Sequence, residues 1–113
     1  MENVTPTPDA QDVANNKVMA ILAYFGILFL VPLLAAKDSP FARFHANQGL
    51  LLFIGYIVVY VIYFVLLMIS PMVGMIASIL FLGLFVLAIL GIINAAKGEM
   101  KELPLIGKYR LLK

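Results

Sequence analysis

GLLLFIGYIVVYVIYFVLLMISPMVGMIASILFLGLFVLAILGIINAA, residues 49–96, holds no charged side chain. Only Ser70-Pro71 interrupts it, leaving two apolar runs, Gly49–Ile69 and Met72–Ala96. A helix needs about 20 apolar residues to cross roughly 30 Å of hydrocarbon, and each run is long enough. Neither shows the wide polar face of a surface helix. Working outward, Val18–Ala36 (VMAILAYFGILFLVPLLAA) is a third run without charge. The whole chain of 113 residues is 64% apolar and 12% charged, with a mean hydropathy of +1.06. Soluble domains carry about twice that share of charge, so nothing polar is left to wrap an apolar core. The expected fold is all-α and integral to a membrane, with three transmembrane helices.

The boundaries follow from punctuation. Residues 1–17 (MENVTPTPDAQDVANNK) are polar and carry Thr-Pro-Thr-Pro, which predicts a disordered tail. Residues 18–96 form the membrane domain, with helices over 18–36, 40–69 and 71–96, and residues 97–113 form a basic tail. Ser39-Pro40 and Ser70-Pro71 each place an N-cap before a proline suited to the first helical position. The second pair leaves almost no loop, so a tight antiparallel hairpin follows. A helix opening at Pro40 would reach about 45 Å by Ile69, longer than the hydrocarbon is thick. Its first turns, with Ser39, Pro40, Phe41, Arg43, His45 and Gln48, are expected to form an interfacial elbow hinged at Gly49. In that elbow Phe41 and Phe44 would sink into the acyl boundary and Arg43 would reach phosphates. Pro32 predicts a kink over Leu28–Pro32 in the first helix.

Charge sets an expected orientation. Three crossings put the N-terminal tail and the 70–71 turn on one side, with Lys17 alone. The other side receives Lys37, Arg43, Lys97, Lys101, Lys108, Arg110 and Lys113. Lysine and arginine stay cytoplasmic, so the N-terminus is expected outside and the C-terminus inside a bacterial cytoplasmic membrane. The tail mixes these cations with Leu103, Leu105 and Ile106, a composition that fits anionic lipid headgroups.

At about 100° per residue, His45, Gln48, Tyr56, Tyr60 and Tyr63 fall on one side of the second helix, while Arg43 and Asn47 point the other way, to headgroups or water. Hydroxyls in hydrocarbon need partners, so Tyr56, Tyr60, Tyr63 and Asn94 are expected to form a polar stripe between helices, with Tyr24 and Ser78 among the partners. Gly74 and Ser78, and later Gly91 and Ala95, sit at four-residue steps that permit close helix packing within or between chains.

The chain has no cysteine and one histidine. That excludes disulfides, thiolate chemistry and a histidine-rich metal centre. The apolar runs hold no carboxylate, and no Ser/His/Asp set, Walker loop or HExxH motif occurs. The chain is thus expected to be no enzyme, to need no cofactor and to bind no nucleic acid.

The string Lys37-Asp38-Ser39-Pro40-Phe41-Ala42-Arg43-Phe44-His45-Ala46-Asn47-Gln48-Gly49-Leu50, with Asn94–Glu99 and Leu103–Gly107, resembles a family of small bacterial membrane proteins. That family is distantly similar to the twenty-kilodalton channel-forming subunit of the chloroplast inner-envelope translocon, and it includes MamF-like magnetosome membrane proteins. The resemblance spans about residues 17–113, and the matching positions are Ser39, Pro40, His45, Gln48, Gly98 and Pro104. It implies no catalytic role for them. The chloroplast relative has a fourth helix that this chain lacks. The expected function is a non-enzymatic scaffold or assembly component, acting as a homo-oligomer or with other membrane proteins in the lipid bilayer. The alternatives are a pore or protein-translocation component and a holin-like lesion former.

Overall fold

A computed structural model of the chain describes residues 8–111. Helix α1 covers Ala10–Leu22, a 3-10 turn covers Gly26–Phe29, and α2 covers Leu30–Ala35. Helix α3 runs over Pro40–Ile69, α4 over Pro71–Ala77 and α5 over Ile79–Ala96; no strand occurs among the described residues.

Helix α1 begins well inside the segment expected to be a disordered tail. Asp9 caps it by accepting the Asp12 N–H at 3.3 Å, immediately after the last proline, and Val13 packs against the core. The tail's residues 1–7 lie outside the described residues.

The first apolar run corrects a second expectation. It does not form one crossing helix kinked at Leu28–Pro32. Helix α1 stops at Leu22, Phe25 leaves helical geometry, and Gly26 takes a φ of +62°, a conformation L side chains rarely adopt. The chain reverses there. The Asp12 carboxylate, in the first turn of α1, accepts the Ser39 hydroxyl at 2.5 Å, so the run starts and finishes at the same end of the molecule. Segments α1 and Gly26–Ala35 are therefore the two arms of a helical hairpin. Each arm is about 20 Å long or less at helical rise, short of the hydrocarbon thickness.

Helix α3 is unbroken from Pro40 to Ile69, without the expected hinge at Gly49. Gly49 instead lets the backbone of Ala23 cross α3, because a Cβ there would overlap the Ala23 carbonyl. Ser70 ends α3, its N–H bonding Leu66 O at 2.8 Å, and also caps α4 by accepting the Val73 N–H. One residue thus serves both helices of the hairpin. A short break at Ser78, whose hydroxyl donates to Met75 O at 2.6 Å, separates α4 from α5.

The core occupies one end of a molecule measuring 52 × 29 × 22 Å. Ala20, Ala23, Tyr24, Phe41, Leu52, Ala95, Met100 and Leu103 meet there, where the first turns of α3 contact α1, the end of α5 and the segment beyond it. Tyr24 lies flat on α5 at Gly91, where any side chain would strike its ring. Elsewhere burial is inverted. His45 and Gln48 are fully enclosed, whereas Met68 is 87% exposed and Val61 59%. An exposed apolar surface this large is unstable in water. Helix α3 and the α4–α5 pair are long and apolar enough to cross a membrane, and the most apolar stretch of each is almost wholly unburied within the chain, unlike the core helix of a soluble protein. An all-helical chain with two such helices and one shorter apolar segment, Gly26–Ala35, fits a membrane protein.

Replacing Gly91 by Leu is expected to force Tyr24 off α5 and to cost about 1–3 kcal/mol, as overpacking does. Thermal unfolding of the detergent-solubilised protein, compared with Val86→Leu on the exposed face, measures this.

Candidate functional site

The charged end of the bundle is where polar side chains converge. Ser39 sits in extended geometry ahead of Pro40, and its hydroxyl accepts the Ala42 N–H at 3.0 Å. The same hydroxyl donates to Asp12, whose other carboxylate oxygen accepts the Phe41 N–H at 3.0 Å. Two of the orphan donors of α3 are thereby met, one by a local cap and one from α1. A negative group here also complements the positive end of the helix dipole. Burial pushes the Asp12 carboxyl up, but hydrogen bonds from Ser39, the Phe41 amide and Asn16 outweigh that and hold it below its ordinary value of 3.8.

One turn further, His45 is enclosed by edge-on contacts with Tyr24, Phe41 and Phe44, with centroids 5.6, 4.9 and 5.2 Å away. Its Nε2–H donates to the Glu99 carbonyl at 2.8 Å, which leaves Nδ1 to accept the Tyr24 hydroxyl at 2.5 Å. Glu99 presents that carbonyl because α5 closes in a Schellman turn. Gly98 has φ +74°, its N–H bonds Ala95 O, and the Glu99 N–H bonds Asn94 O. His45 therefore ties α1 and the exit of α5 to α3.

Asn47 and Gln48 hold the C-terminal segment by its backbone. Gln48 donates to Gly107 O at 3.0 Å and accepts the Leu103 N–H at 2.9 Å. Asn47 donates to Tyr109 O at 2.7 Å and accepts the Leu111 N–H at 2.7 Å. Each side-chain amide acts as a peptide group would in a strand pair. Residues 99–111 are folded over α3, with Met100 and Leu103 buried beneath them. The tail is thus a folded part of the protein rather than a loose strand. Arg110 closes it, donating to Gly107 O and to Glu102, both at 2.6 Å.

The remaining candidates fall in different places. Phe41 and Phe44 are buried in protein around His45 rather than in the acyl boundary, because α1 and the tail cover the start of α3. Asn47, expected at headgroups or water, is buried for the same reason. Tyr56, Tyr60 and Tyr63 do not join this constellation. None of the hydrogen bonds among the described residues uses their hydroxyls, and Tyr60 and Tyr63 meet Phe64 and Phe81 ring to ring. Asn94 contributes its backbone carbonyl to the Schellman turn. Gly91 and Ala95 face α1 and Tyr24, Gly74 faces Leu67 of α3, and Ser78 lies at the α4–α5 break. Sequence reasoning missed Asp12 and Asn47 as members of the site, and it named Tyr24 as a partner of the tyrosine stripe rather than of His45. Paired side-chain amides at 47 and 48, with no polar partner in the membrane runs, were the available signal.

A buried network that ends on backbone carbonyls and amides defines a class: small membrane proteins whose polar end is structural. The chain belongs to the magnetosome magnetite crystal formation protein family, MamF/MmsF, whose model matches residues 15–111. It is 35% identical to magnetosome protein MamF of Paramagnetospirillum magneticum, covering 81% of this chain and 79% of that one. It is 33% identical to magnetosome protein MmsF of the same organism, over 82% of this chain and 83% of that one. An UPF0132 membrane protein of Methanocaldococcus jannaschii is 38% identical over 73% of this chain and 68% of its own. No solved structure matches. The family's description names crystal formation and no catalytic activity.

Gln48→Leu is expected to strand the Leu103 amide and the Gly107 carbonyl, at about 1–3 kcal/mol for each unsatisfied group. Faster hydrogen exchange at the Leu103 amide, and faster tryptic cleavage after Lys101 and Lys108, report it. Asp12 gives a pH signature. Its folded pKa is below the unfolded one, so its contribution is present above pH about 4 and is lost as pH falls through the folded value. Native protein should lose melting temperature on acidification in that range. Asp12→Asn should start lower at neutral pH and show less of that loss.

Proposed function

We propose that the chain is a non-enzymatic membrane scaffold that takes part in magnetite crystal formation, assembling with copies of itself or with other membrane proteins. The observation that carries the reading is the constellation of Asp12, His45, Asn47 and Gln48, whose hydrogen bonds end on the protein's own backbone and side chains. Membership of a family described by crystal formation supplies the process.

The pore and lesion-forming readings find less support. Tyr56 and Tyr60, the polar groups a pore through α3 would use, line a groove of ≈ 640 Å³ together with Phe53, Ile57 and Val61, and no polar surface contributes to its wall. None of the relatives named above is a translocon subunit.

We further propose that both termini face the cytoplasm of a bacterial inner membrane. An outside N-terminus follows only from an odd number of crossings. Two spans plus a hairpin whose ends meet at Asp12 and Ser39 make the number even. Every charged residue lies before Phe44 or after Ala96, so the far turn at Ser70-Pro71 carries none. The positive-inside rule then assigns the basic end to the cytoplasm.

Two experiments test these readings. In a magnetosome-forming bacterium deprived of its own family members, the chain should increase magnetite crystal size in electron micrographs, and Gln48→Leu should do so less. Unchanged crystals despite membrane-localised protein would remove the crystal-formation role. Because the chain has no cysteine, single cysteines report sidedness directly. A membrane-impermeant maleimide on intact spheroplasts should label Met72→Cys and spare Asn15→Cys and Lys101→Cys. Labelling of Asn15→Cys would restore an external N-terminus.

A further inference from the structure

Among the described residues other than glycine, Leu105 alone has a positive φ, +74°. Its neighbours close a γ-turn across it, the Ile106 N–H bonding the Pro104 carbonyl at 2.9 Å. That hand of the turn is rare and strained, and a bulky side chain makes it costlier than glycine would. The base of the loop is fixed. The Gly107 N–H bonds Leu103 O at 2.9 Å, and the Gln48 amide grips both ends, accepting from Leu103 and donating to Gly107. A Cβ at Gly107 would strike the Leu103 backbone and the Gln48 side chain, so the loop lies tight against α3. Leu105 stands at its apex, 88% exposed, and no large apolar side chain among the described residues is more so. A strained backbone that aims a leucine into water gains nothing for the fold, so the contact it serves lies outside the chain.

The level of the loop names that contact. Gln48 is the last residue before the uncharged stretch of residues 49–96, and Lys97 is the first charge after it. Helix α3 opens and α5 closes at the same end, tied by His45 and the Glu99 carbonyl at 2.8 Å, so both mark one edge of the hydrocarbon. The loop hangs from Gln48 at that edge. Residues 103–107 carry no charge, and Glu102 beside them is paired with Arg110 at 2.6 Å, so no unpaired carboxylate of the loop opposes entry into lipid. Tyr109, exposed on the same segment, is of the type that settles at headgroup level. We infer that Leu105 is a wedge that enters the lipid leaflet at the polar end, among the first acyl carbons, and anchors the C-terminal segment there. The inference rests on the membrane reading above and adds to the long apolar helices an anchor that sits in one leaflet.

The chain has neither cysteine nor tryptophan, so single probes can be placed on the full protein. Leu105→Cys carrying a nitroxide is reconstituted into vesicles of phosphatidylcholine and phosphatidylglycerol. Electron paramagnetic resonance then gives the ratio of its collisions with oxygen, which concentrates in lipid, to those with a water-soluble nickel chelate. That ratio should be several-fold higher at Leu105→Cys than at Gln11→Cys, an exposed position on α1, and higher still at Val61→Cys on the apolar part of α3. Equal ratios at Leu105→Cys and Gln11→Cys, with Val61→Cys in lipid, would end the proposal and leave the membrane reading standing. A water-like ratio at Val61→Cys would overturn both. Leu105→Trp keeps a large apolar side chain at the apex and gives an independent measurement. Its fluorescence should be quenched by lipids brominated on the first acyl carbons and little by iodide. Quenching by iodide alone would place the leucine in water, ready for a soluble partner, and overturn the wedge.

Discussion

Backbone groups buried inside a protein must find partners there, since no solvent reaches them. The C-terminal segment of this chain is irregular from Glu99 onward and cannot satisfy itself as a helix would. Its carbonyls and amides are met instead by three side chains on the opening turns of α3: His45, Asn47 and Gln48. Those side chains explain much else. They must be enclosed to work, so α1 and the tail wrap the start of α3. They leave α3 no wet face there, and so it runs straight from the polar end into the lipid.

The same constraint accounts for the hairpin formed by the first apolar run. Helix α3 starts among protein groups, and its first amides need acceptors. Ser39 supplies one and Asp12 the other. Asp12 can reach only if the beginning of α1 returns to the end of the first apolar run. The reversal at Gly26 and the cap at Asp12 are therefore two parts of one arrangement. The close passage of Ala23 over Gly49 lets the hairpin lie against α3 without a gap.

What was legible in the sequence was what is local. Ser-Pro pairs encode helix starts in two residues, and the long uncharged stretch from Gly49 to Ala96 carries its own solvent preference. The break in the first run was not legible, because Gly26 among apolar neighbours looks like any glycine of a membrane helix. Only the distant pairing of Asp12 with Ser39 gives it its meaning. The helical wheel separated Asn47 from Gln48 correctly in angle. It failed on burial, since it assumes that one side of a helix is wet, and here both are covered. The tail has no periodicity, and its fold is written in side chains fifty or more residues away on α3.

The turn between α3 and α4 consists of Ser70 and little more, with prolyl geometry fixed directly after it. During biosynthesis, a protein built this way asks the insertion machinery to export almost nothing hydrophilic. The α3–α5 hairpin can enter the bilayer as a unit, led by one hydroxyl already engaged with its own backbone.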